Sequence, residues 1–78
     1  MHKKDILNKI GLKIREVRTE KNISIQQLAD IIDIEYNNLI RIEKGRTNIT
    51  IGTLLKICQA LEVKLIDVVD VEWLFSKK

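Results

Sequence analysis

The sequence predicts an all-α fold, a compact domain of five short helices. Three observations carry this. The 78 residues include no proline and only three glycines, so little in the chain interrupts a helix. Apolar residues recur at spacings of three and four through most of its length. The stretches between these runs hold cap residues: Ser24 and Thr50 before a run, Asn22, Asp33 and Gly45 after one.

The length predicts one domain, residues 1–78, with no room for a separate effector domain. A chain of this size buries only about 60 to 65% of its unfolded surface, so its stability is modest and pairing with a second copy would help. Hydrophobic residues make up 45% and charged residues 32%, as in an ordinary soluble fold. The single cysteine, Cys58, cannot form an internal disulfide, which points to a reducing compartment. No apolar run reaches the roughly 18 residues that span a membrane, and no signal peptide is visible. A cytoplasmic protein is expected. The net charge is +3 and lies in one part of the chain: residues 1–48 hold ten Lys or Arg against seven Asp or Glu, whereas residues 49–78 hold four of each. That bias suits a polyanionic partner, although a solvated basic face would read the same way.

Taken in order, Met1 to Lys4 is a basic tail that either frays, the favoured reading, or brushes a phosphate backbone, and His2 has no Cys or carboxylate cluster beside it to make a metal site. The first helix is expected to begin at Asp5, which can cap it. Ile6, Ile10, Ile14 and Val17 form its apolar stripe, joined by Leu7, with Lys9, Lys13, Arg15, Glu16 and Glu20 opposite. Gly11 inside a helix is costly, so close packing against a neighbour is the expected reason for it. Asn22 ends the helix in the left-handed region.

Ser24 with Gln27 three residues later is a capping-box pattern, so a second helix should start at Ile25. Leu28, Ile31 and Ile32 supply its apolar spacing, and the small Ala29 leaves room for close approach. Asp33 is the expected left-handed stop, and Ile34 the apolar plug of a tight turn. A third helix, about 35–44, carries Leu39 and Ile42 inward, with Gly45 just beyond. Two helices so short and so tightly linked should cross steeply. Residues 25–44 therefore read as a helix-turn-helix.

This ordered pattern resembles the phage-repressor and Cro-type helix-turn-helix family, also called the xenobiotic-response-element family, whose fold is lambda-repressor-like. Leu28, Ala29, Ile34, Leu39, Ile42, Glu43 and Gly45 carry the resemblance, with Gly11, Ile14 and Arg18 before them and Thr50, Leu54, Ile57, Ala60 and Leu61 after. It covers roughly residues 6–69. Ile25 departs from the pattern, standing where the family usually has a phosphate-touching Gln. Asp33 stands where it usually has Gly, at a cost of about 1 kcal/mol. The resemblance implies an ion pair between Arg18 and Glu43 that ties the first helix to the third; read alone, Arg18 could equally pair with Glu16 or Glu20. It also implies double-stranded DNA as the partner. The N-terminal residues of a recognition helix reach base edges. Asn matches adenine and Arg matches guanine, each through two bonds. Tyr36, Asn37, Asn38 and Arg41 are accordingly the expected base contacts. Lys44, Arg46, Thr47 and Asn48 in the following loop are the expected phosphate contacts, together with Ser24 and Gln26.

Thr50 should cap a fourth helix that is apolar around much of its circumference through Ile51, Leu54, Leu55, Ile57, Cys58 and Leu61. Such a helix is expected to close the core on one side and to face a second protomer on the other. Cys58 reads as a small core residue. Glu62 stands where the family usually has Gly. The terminal segment, 63–75, is expected to be a fifth helix, although Val63 to Val71 also has strand-like stretches. Leu65, Val69, Trp73 and Phe75 in it are the expected homodimer contacts; the plain alternative is that these residues fold back on the core.

An enzyme is not expected: the sequence holds no nucleophile–base set, metal cluster or phosphate-cradling loop, and no cofactor or small-molecule ligand is evident. The sequence favours a homodimeric, sequence-specific DNA-binding transcriptional regulator, and the run NITIGTLLKICQALEV is loosely similar to restriction-modification controller proteins. The alternative is a protein-interaction module or antitoxin-like partner that keeps the fold without DNA readout.

Overall fold

The computed structural model describes residues 2–70, 72 and 73. The chain forms four α-helices, α1 (Lys3–Glu20), α2 (Ile25–Ile32), α3 (Tyr36–Glu43) and α4 (Ile51–Leu61), followed by a 3-10 turn at Leu65–Asp67. The described residues include no strand. The long α1 packs on α3 and α4, and α2 packs on both α3 and α4. Ile14, Leu28, Leu39, Ile57, Leu61 and Val68 are fully enclosed at the centre, so all four helices and the segment after them contribute to one core.

The local signals act where the sequence puts them. The Ser24 hydroxyl accepts from the Gln27 N–H at 3.0 Å while the Ser24 N–H donates to the Gln27 side chain at 2.8 Å, a complete capping box. The Thr50 hydroxyl accepts from the Thr53 N–H at 3.1 Å. All four helices close in the same way. Asn22, Asp33, Gly45 and Glu62 each have φ near +60°, at 59°, 59°, 69° and 58°. The next N–H then returns to the carbonyl five residues earlier: Ile23 to Arg18, Ile34 to Ala29, Arg46 to Arg41 and Val63 to Cys58, at 2.9–3.1 Å. This is the Schellman closure. Three of the four closing residues are not glycine, each at a cost of roughly 1 kcal/mol or more.

Several expectations are corrected. α1 starts at Lys3, with His2 rather than Asp5 at its cap and Asp5 inside the first turn. Ile31 is 60% exposed, because the core-facing stripe of α2 consists of Leu28, Ala29 and Ile32. On α4, where an apolar side away from the core is expected, Ile51 and Leu55 are exposed while Leu54, Ile57, Cys58 and Leu61 are buried. The fifth helix does not form among the described residues. The Lys64 N–H donates to the Asp67 carboxylate at 2.9 Å, and the Glu72 N–H donates to the Asp70 carboxylate at 2.9 Å. The first of these bonds caps the 3-10 turn as in a capping box, but residues 68–70 do not continue it as an α-helix. Val68 is buried, and Val69 and Trp73 pack against the chain's own core. Leu65 is exposed. Phe75, with Val71 and Leu74, lies outside the described residues.

The packing around Gly11 accounts for its place in a helix. A Cβ there would overlap the carbonyl oxygen of Ile42 and stand 2.5 Å from that of Glu43 and 2.7 Å from the Glu43 carbonyl carbon. α1 therefore rests on the end of α3, backbone against backbone. Gly11→Ala should gain about 1 kcal/mol of helix propensity and lose more than that to overpacking, which costs about 1–3 kcal/mol or more. A lower urea midpoint at unchanged slope is the expected result; a raised midpoint would show that the contact yields freely.

Candidate nucleic-acid interface

The second helix of the helix-turn-helix, α3, has one face spent on the fold. Leu39, Ile42 and Glu43 are buried. At 3.6 residues per turn, Asn37 and Arg41 stand opposite that face, four apart and stacked on the helix surface. Both are exposed, Tyr36 is 45% exposed at the helix start, and Asn38 and Ile40 are half-buried at the flanks. Of the expected base-contact residues, Asn37 and Arg41 thus share the outward side of α3, with Tyr36 open at the helix start and Asn38 half-buried at a flank.

Glu43 and Arg18 fix where that side points. Arg18 Nε donates to Glu43 Oε2 at 2.6 Å and Nη2 donates to Oε1 at 3.0 Å. The third nitrogen, Nη1, donates to the Ile23 carbonyl at 2.8 Å. Both residues are buried. The fork matches the carboxylate along two parallel bonds, and the third bond ties the pair to the α1–α2 turn. Residues from α1, the turn and α3 are thereby locked in one orientation.

The loop after α3 lies against α1. A Cβ on Gly45 would overlap the Asn8 side-chain oxygen and stand 2.7 Å from the Asn8 Cα, so glycine is required there both by its φ of 69° and by this contact. Lys44, Arg46 and Asn48 are exposed along the loop and Thr47 is half-buried. Ser24 and Gln26 are engaged locally: Ser24 in the capping box, and Gln26 through Nε2 donating to Asp30 Oδ1 at 2.8 Å. Ile25, in the position that departs from the family pattern, packs its side chain against the core. Sequence reasoning passes over Arg15, which lines a shallow groove with Ile25, Ile40 and Lys44 beside the ion pair. Its helical spacing marks it as a solvent-side residue of α1, and nothing local links it to α3.

Other chemistries find little here. The described residues hold no group of three or more His, Cys, Asp or Glu arranged for a metal ion. Burial, with the nearby Asp67 charge adding to it, pushes the Cys58 thiol above its ordinary value, so it stays protonated and unreactive. No described helix is long and apolar enough to cross a membrane.

These elements define a helix-turn-helix domain. The chain belongs to the helix-turn-helix family whose model matches residues 14–68. It is 41% identical over 64 residues to uncharacterised helix-turn-helix-type transcriptional regulators of Rickettsia conorii and Rickettsia prowazekii. The matches cover 77% of this chain and 51% and 49% of the relatives, so the chain spans about half the length of the curated relatives it matches. Among solved structures it is similar to the restriction-modification controller protein C.AhdI of Aeromonas hydrophila, with a TM-score of 0.77 and 29% identity over 80% of this chain and 94% of that one. It is also similar to the clp gene regulator ClgR of Corynebacterium glutamicum, with a TM-score of 0.79 and 25% identity over 81% of this chain and 67% of that one.

A buried ion pair costs about 3–5 kcal/mol of stability when one partner is removed. Glu43→Gln keeps the shape and removes the charge. It should lower thermal stability clearly, and the double variant with Arg18→Met should recover part of the deficit. An unchanged melting temperature in Glu43→Gln would show that the pair does not hold α1 to α3.

Proposed function

We propose that this chain is a sequence-specific DNA-binding transcriptional regulator that inserts α3 into the major groove and works as a homodimer in the cytoplasm. The observation that carries the reading is the division of α3: one face is locked into the core and to α1, and the other presents Tyr36, Asn37 and Arg41 to solvent. Those side chains have the donors and acceptors that distinguish base pairs in the major groove. The loop residues Lys44, Arg46, Thr47 and Asn48 adjoin it and suit the phosphate backbone. The ordered ion pair and the backbone contact at Gly11 support the reading, because base readout needs a helix held at a fixed angle.

The homodimer part rests on exposed apolar side chains of two elements that pack together, Ile51 and Leu55 of α4 with Leu65 and Ile66 of the 3-10 turn. Two copies joined there would present their α3 helices to half-sites about one helical turn apart, roughly 34 Å. The likeness to a restriction-modification controller suggests that the regulated genes belong to a small self-contained system of that kind.

Two experiments test the reading. Selection from random duplex DNA should recover a two-fold symmetric site, and Arg41→Ala should abolish or change the preference at one position in each half. No enrichment at low salt would transfer the weight to an interaction module. Arg46→Ala, by contrast, should weaken binding to every sequence about equally and reduce the salt slope by about 0.9. A weakening confined to one base position would contradict the phosphate assignment.

A further inference from the structure

The loop after α3 forms one wall of a groove, and the opposite wall is the first two turns of α1. Lys3, Lys4, Leu7 and Asn8 line one side; Lys44, Gly45, Arg46, Thr47 and Asn48 line the other. Four of these residues are cations, three carry amide or hydroxyl groups, and none of the described residues lining the groove is acidic. Gly45, buried against the Asn8 backbone, holds the two walls together. No local pattern signals this groove, because Lys3 and Lys4 precede the expected helix start and read as a fraying tail.

The charge arrangement runs against the fold. Lys44 and Arg46 follow the C-terminus of α3, where a cation is favoured, but Lys3 and Lys4 sit at the N-terminus of α1, where the helix dipole disfavours one. Asp5, in the same turn, falls at helical spacing to Lys9 and Leu12 and does not line the groove. Four like charges gathered from two elements repel one another in the free protein. An anion set between them reverses that repulsion.

We infer that this groove seats the DNA sugar-phosphate backbone, with Lys3, Lys4 and Asn8 of α1 gripping phosphate opposite Lys44 and Arg46. The inference rests on the DNA-binding reading above and adds a second arm to its backbone contacts. α1 then both sets the angle of α3 and holds the strand that α3 enters beside. The groove contributes affinity and register and does not select sequence.

Salt dependence tests it with an arbitrary-sequence duplex, titrated between about 50 and 200 mM salt. Removing one cation–phosphate interaction makes the slope of log affinity against log salt shallower by about 0.9. Lys3→Ala/Lys4→Ala should make it shallower by about 1.8 with the melting temperature unchanged or raised, since both side chains are exposed and sit at a helix start that disfavours cations. Lys13→Ala/Lys56→Ala removes the same charge from other faces and should leave the slope as it was. An unchanged slope in the first double variant overturns the inference while the DNA-binding reading stands. An equal decrease in both double variants also overturns it, by reducing the effect to net charge. Failure of the unsubstituted chain to bind at the lowest salt overturns both readings together.

Discussion

The Arg18–Glu43 pair ties α1, the longest helix, to α3. Taking a guanidinium and a carboxylate out of water is expensive, and the net gain of such a pair over apolar side chains of similar size is often nil. What the pair supplies is direction. A guanidinium has its donors in a fixed plane, and here three of its nitrogens are used, two on Glu43 and one on the Ile23 carbonyl. An apolar contact at the same place would tolerate sliding and rotation; this one does not. Gly11 works to the same end, because the missing side chain lets α1 meet the last carbonyls of α3 directly.

With α3 held in this way, the remaining surface divides by chemical role. On the reading proposed above, the groups assigned to base pairs stand on the outward side of α3, and the groups assigned to phosphate stand beside it on the loop and on α1. The separation matters physically. Backbone attraction is long-ranged and indifferent to sequence, whereas base recognition is short-ranged and demands alignment. A rigid platform would let the first bring DNA close without disturbing the second.

Much of the architecture is legible locally. Ser24 with Gln27, and Thr50 with Thr53, announce helix starts because their bonds span three residues. Asn22, Asp33 and Gly45 mark the ends because the left-handed region admits few residue types, whereas Glu62 adopts the same φ without such a signal in its side chain. The outward residues of α3 follow by subtraction, once Leu39 and Ile42 fix the inward face. Non-local features are harder. Ile31 obeys the helical spacing of α2 yet stays exposed, since spacing tells which residues share a side but not how wide a stripe the neighbours cover. The terminal segment has the apolar content of a helix, and Lys64 with Asp67 even forms a capping box, yet a 3-10 turn rather than an α-helix forms at Leu65–Asp67. The roles of Lys3, Lys4 and Arg15 depend on which loop and groove the fold brings beside them, and no local pattern records that.

The four matching helix ends carry a consequence for how the chain folds. Each end is defined by a bond reaching back five residues, so every helix is told where to stop before any distant contact exists. Most of the ordering is then short-range, which is the condition for folding on the microsecond-to-millisecond scale of helical domains. The exceptions are the docking of α4 on α1 and α2 and the meeting of α1 with α3, whose partners are far apart in the chain. The last of these gives α3 its final angle. A chain without it would have its helix stops but not the orientation of α3, and the surface formed by α3, the loop and α1 would come into being only with that contact.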